Sequence, residues 1–222
     1  MDVDGDGKSE YFGLWALDAF LHRQQNGALE LVQSFPQLIP CDFIETMRTT
    51  DLNADGFGDV VLTLGCDGQA DGVPVLVLLG AADNTLTVAG QYPTGAGPSG
   101  LEIGDVNGDG RQDVVTVNLG TKEVNVLLGL GDGSLAEQLR FAVEPRIDSF
   151  GIGAFDGAAG DELLLVRGDA TWVFAPLGTW DEPRAVMGTS QAGPAGPGRS
   201  VARRLDRDNG ELRGARRARG LR

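Results

Sequence analysis

Asp105-Val-Asn107-Gly-Asp109-Gly-Arg111-Gln-Asp113-Val-Val-Thr-Val117 sets oxygen-bearing side chains at positions 1, 3, 5 and 9 of a nine-residue segment and then runs straight into β-branched residues. Asp or Asn at alternate positions of a tight loop aims several hard oxygens at one point, and glycine at position 6 permits the sharp turn. The Val-rich run that follows reads as a strand. An acidic loop feeding a strand is therefore the unit from which the fold is read.

The unit recurs. Asp2-Val-Asp4-Gly-Asp6-Gly-Lys8-Ser-Glu10 and Asp51-Leu-Asn53-Ala-Asp55-Gly-Phe57-Gly-Asp59 have the same pattern, and a worn copy with only Asp156 and Asp161 begins near Gly153 and is read as one residue shorter. Each loop is followed by a β-rich run, a polar turn, a second run such as Val75 to Leu79 or Val124 to Leu128, and a weaker third. With a strand leading into the loop, as at Phe43 to Thr49 and Leu101 to Gly104, each unit holds four strands in about 50 residues. That is the arithmetic of a propeller blade. The expectation is an all-β propeller fragment of about four blades, at approximately residues 1–38, 39–95, 96–145 and 146–187, the first without its opening strand. The one stretch with a trace of helical period, Asp18 to Gln25, is read as a loop with a strand.

The loops are candidate Ca2+ sites. A hard divalent cation takes six to eight oxygens. The candidate ligands are the side chains of Asp2, Asp4, Asp6 and Glu10, of Asp51, Asn53, Asp55 and Asp59, and of Asp105, Asn107, Asp109 and Asp113, with the position-7 backbone carbonyls of Lys8, Phe57 and Arg111. Two or three ions are expected, since the fourth loop has lost most of its carboxylates. An EF-hand begins the same way, but it needs Glu at position 12 and a helix afterwards. Position 12 here is Gly13, Leu62 or Thr116, and a strand follows. The plain alternative is an Asp-Gly turn that holds no ion.

The segment from Asp105 to Asn118, continued by Val124-Asn-Val-Leu-Leu-Gly129 and Gly131-Asp-Gly-Ser134, resembles the FG-GAP/VCBS repeat family, whose calcium-loop blades also occur in integrin α-subunit propellers. The resemblance runs from residue 2 to about 187 and is strongest in the third unit. It implies a propeller, usually of seven blades, with Ca2+ between the first two strands of a blade. It also implies extracellular or cell-surface adhesion to protein or carbohydrate partners. Because the sequence opens inside a repeat, with no signal peptide, it is read as a piece of a longer protein.

Composition points the same way. Glycine supplies 34 of 222 residues, as many short strands and tight turns require. Up to Met187 there are 29 Asp/Glu against 9 Lys/Arg, so the acidic body argues against nucleic acid and for cations as counterparts. No run approaches the ~20 apolar residues that span a bilayer. Residues 188–222 are read as a Gly/Pro linker and an Arg-rich disordered tail.

The sequence offers little for catalysis. It holds one histidine, His22, and no nucleophile elbow or zinc spacing, so the protein is read as a non-enzyme. A calcium-dependent polysaccharide lyase or hydrolase and a purely structural spacer of a surface protein are the alternatives. Arg167-Gly168-Asp169 matches the tripeptide that some integrins read, but turns favour Gly and Asp in any case. Cys41 and Cys66 fall near each other if their strands pair, which leaves a disulfide and two separate buried thiols both open.

Overall fold

The computed structural model describes residues 2–15, 18–36, 38, 43–65, 75–143, 147–154, 159–167, 170–174 and 187–190. Every regular element among them is a strand. The first sheet is β1 (Glu10–Trp15), β2 (Asp18–Gln25) and β3 (Ala28–Phe35). The second is β4 (Phe43–Thr50), β5 (Asp59–Gly65), β6 (Val75–Gly80) and β7 (Leu86–Tyr92). The third is β8 (Pro98–Gly104), β9 (Asp113–Asn118), β10 (Glu123–Leu127) and β11 (Leu139–Ala142). The fourth is β12 (Ser149–Gly153), β13 (Glu162–Arg167), β14 (Ala170–Phe174) and β15 (Met187–Ser190). Each sheet is an antiparallel meander in chain order, so the described residues form successive all-β propeller blades.

The unbroken apolar runs have a simple cause. All seven residues of β5 and all six of β9 are buried, because each of these strands is covered on both faces. Val60, Leu62 and Leu64 face the first sheet and pack with Ala19, Leu21 and Phe35. Val61 points the other way, into a core with Leu101 and Val114 of the third sheet. Val115 and Val117 in turn share a core with Ile147 and Leu165, on the side of the fourth sheet. Strands with one wet face would alternate; these do not.

Three expectations need correction. Asp18–Gln25 is one continuous strand with no loop in it, because Ala19 and Leu21 supply apolar residues at a spacing of two to the core facing the second sheet. The fourth sheet is completed by β15, Met187–Ser190, so its backbone reaches into the stretch expected to be linker. The fourth acidic loop is not shorter than the others. Thr50 pairs with Asp59, Gly104 with Asp113 and Gly153 with Glu162, a separation of nine in each case. Glu162, and not Asp161, therefore stands at position 9.

Cys41, Cys66, Asp156, Gly168, Asp169 and residues 191–222 lie outside the described residues. The disulfide, the exposed tripeptide and the disordered tail therefore stay expectations.

Candidate metal centre

The three acidic loops share one backbone conformation. Position 4 has positive φ in each, at 72° for Gly5, 60° for Ala54 and 76° for Gly108, and so does the position-6 glycine. These two left-handed residues curl the chain so that the side chains at positions 1, 3 and 5 fold back over the loop's own amides. In the third loop Asp105 Oδ1 accepts from the N–H groups of Gly108 (2.7 Å) and Asp109 (3.0 Å), and Oδ2 accepts from Gly110 (2.8 Å). Asn107 Oδ1 accepts from Asp109 N–H at 2.9 Å, and Asp109 Oδ1 from Arg111 N–H at 2.9 Å. The second loop repeats four of these five bonds through Asp51, Asn53 and Asp55, and the first repeats three through Asp2, Asp4 and Asp6, with Asp2 Oδ1 accepting none.

Position 9 does something that the pattern of alternating oxygens does not reveal. Asp59 and Asp113 are both 0% exposed. Asp59 accepts from Leu52 N–H of its own loop (2.7 Å) and from Gly80 N–H at the end of β6 (2.9 Å). Asp113 does the same with Val106 (3.0 Å) and Gly129 (2.8 Å), while Glu10 accepts from Val3 N–H at 2.7 Å. Asp59 and Asp113 thus each bridge an acidic loop to its sheet, with lone pairs left over.

The electrostatics are those of concentrated negative charge. Burial pushes Asp113 up to about 6 against the pull of its two backbone donors, and Asp109 and Asp105 push it further. Burial raises Asp59 likewise. Lys8 holds Asp6 below the ordinary carboxylate range, through an Nζ to Oδ2 contact of 2.6 Å. Arg111 Nη1 stands 3.8 Å from Asp109 Oδ2. In the second loop Asn53 Nδ2 donates to Asp55 Oδ2 at 2.8 Å, and in the third Asn107 Nδ2 donates to Asp109 Oδ2 at 3.0 Å.

The first loop gives the test of fit for a cation. Carboxylate oxygens of Asp2, Asp4 and Glu10 all lie within 4.8 Å of one another. Asp2 Oδ1 is buried and makes no hydrogen bond. Three carboxylates drawn together around an unsatisfied buried oxygen fit a hard cation bound by oxygen alone. For the second and third loops the donor chemistry fits as well, with Asp, Asn and Asp at positions 1, 3 and 5. The carbonyls of Lys8, Phe57 and Arg111 remain the expected position-7 donors. In the fourth loop Glu162 is 1% exposed at position 9, but Ala154 stands at position 1, where the others carry Asp.

Residues at position 2 were missed in the sequence. Val3, Leu52 and Val106 are buried, and each sits in the core between its own sheet and the next. Their apolar character between two acids was the signal.

Residues 51–116 match the family model for the FG-GAP-like repeat, from the first residue of the second loop into β9. No curated protein matches the chain.

Proposed function

We propose that this chain, in which residues 51–116 are an FG-GAP-like repeat within a β-propeller fragment, is a calcium-stabilised binding module of the extracellular space or cell surface. The observation that carries this reading is the buried, unpartnered Asp2 Oδ1 within a three-carboxylate cluster, in a loop whose backbone is repeated in the second and third sheets. A bound Ca2+ supplies positive charge to oxygens that otherwise repel one another.

The protein's own residues do the rest. Asp59 and Asp113 tie each loop to the end of a hairpin, and Leu52 and Val106 anchor it in the core shared with the next sheet. Holding the loop therefore holds the blade interface, and so keeps in place the surface loops that recognise a partner. The partner is a protein or a carbohydrate, and the chain's role is recognition and not catalysis. FG-GAP-like repeats are typical of extracellular proteins, where calcium is plentiful. Among the described residues there is no helix long and apolar enough to cross a membrane.

Retention on glycan and protein arrays, run in calcium and in chelator beside a polysaccharide-cleavage assay, tests this reading. Calcium-dependent retention without cleavage is expected. Cleavage would transfer the protein to the calcium-dependent enzymes, and silence in both assays would leave a structural spacer.

A further inference from the structure

We infer that Asn84, on the turn between β6 and β7 of the second sheet, is a ligand of the cation site in the first loop, so that this site is built from two blades. The inference rests on the calcium reading above. Asn84 is only 6% exposed, and its Nδ2 donates to Asp4 Oδ2 at 2.9 Å across 80 residues of sequence. Its Oδ1 is buried and has no hydrogen-bond partner, as is Asp2 Oδ1 in the cluster it faces. A buried amide with one end on a carboxylate and the other unsatisfied is an incomplete arrangement.

A cation completes it. A half-turn of the amide exchanges N–H for carbonyl oxygen at almost unchanged shape, and a carbonyl oxygen is a good donor for a hard cation. The first loop has use for such a donor. Its position-5 carboxylate, Asp6, is engaged by Lys8 Nζ at 2.6 Å, which removes an oxygen from a site that wants six or more.

The turn is built to hold Asn84 there. Asn84 has a φ of 64° and donates its N–H to Ala81 at 2.9 Å, while Asp83 Oδ1 accepts from the Thr85 hydroxyl at 2.6 Å. Gly80 of the same turn donates to Asp59, so one turn serves its own loop at one end and the preceding blade's loop at the other. The third sheet shows the turn without this function. There Gly129 plays the part of Gly80, and Gly133, with a φ of 85°, stands at the place of Asn84 with no side chain to offer.

Gly133 also supplies the variant for the test, since Asn84→Gly keeps the left-handed turn. Calorimetric titration with CaCl2 of the full chain carrying Asp55→Ala and Asp109→Ala isolates the first loop, and circular dichroism checks each fold. Adding Asn84→Gly is expected to weaken the remaining site about tenfold, whereas Asn84→Asp, which keeps an oxygen, is expected to match or tighten it. An unchanged affinity with Asn84→Gly overturns the inference. Equal weakening by both variants also overturns it, because Asn84 would then act only as an N–H donor to Asp4. Should the unmodified chain bind calcium while the double variant binds none, the first loop is no site and the inference falls alone. Should the unmodified chain bind none, the calcium reading itself falls and takes the inference with it.

Discussion

Ala54 is the one position in the three loops where a residue with a β-carbon holds the left-handed turn taken by Gly5 and Gly108, at a φ of 60°. That conformation costs an L-residue roughly 1–2 kcal/mol, part of which glycine gives back through its freer unfolded chain. Ala54→Gly is therefore expected to leave urea stability unchanged or raise it by up to about 1 kcal/mol. Gly56→Ala, at a φ of 89°, is expected to lower it by roughly 1–2 kcal/mol, and the reverse order would contradict this loop geometry. Asp113 gives a prediction in pH. Burial raises its carboxyl to about 6, above the value of an unfolded chain, so in chelator the folded form binds the extra proton. Its contribution then turns unfavourable as pH rises from about 4 through about 6, and calcium cancels that loss. Carbon-detected NMR titration of the Asp113 carboxyl should give an elevated value in chelator and a depressed one in calcium; an ordinary value in both would count against the assignment. The pattern at positions 1, 3, 5 and 9 stood out because Asp, Asn or Glu recurs there at fixed spacing in all three loops. The clamp on Asp113 was not, since Gly129 lies 16 residues away, and Asn84 was not, since its partner lies 80 away. The fourth loop was misregistered because two adjacent acids, Asp161 and Glu162, compete for position 9, and only the pairing of Gly153 with Glu162 decides between them.

At the level of elements, loop and strand act as one piece. Leu52 plugs the core between the second and third sheets, while its own N–H donates to Asp59. Leu52→Ala is expected to cost about 2–4 kcal/mol in urea denaturation and to weaken calcium binding to the second loop as well. A stability loss with unchanged binding would mean that the plug and the metal loop are independent. The hairpin end is equally constrained, since a β-carbon on Gly129 would lie 2.1 Å from the carbonyl oxygen of Gln112. Strands β5, β6, β9 and β10 were readable from runs of Val and Leu bounded by Gly, Asp and Asn, because burial on both faces removes any need for alternation. Asp18–Gln25 was harder, since Asp18, His22, Arg23 and two glutamines dilute its apolar signal, and only packing against the second sheet shows that Ala19 and Leu21 are core.

Across the whole molecule the sheets are joined by polar ties as well as by their cores. Gln33 exchanges two hydrogen bonds with the backbone of Leu86, Arg48 grips Glu102 with a contact of 2.7 Å, and Asp105 N–H donates to Asp161 Oδ2 at 3.0 Å. The Asp105 tie begins in an acidic loop and ends on the next blade, so the proposed ion site and the blade stacking share a residue. Repetition made this architecture legible, whereas the ties between blades depend on residues 50 or more apart and leave no local pattern. The central claim is that the acidic loops hold calcium, and a calorimetric titration of the full chain with CaCl2 tests it most directly. The account predicts three binding events, with one lost in Asp55→Ala and another in Asp109→Ala, each accompanied by a lower Tm in calcium. No calcium-binding heat in the unmodified protein, or identical titrations for all three proteins, would contradict it.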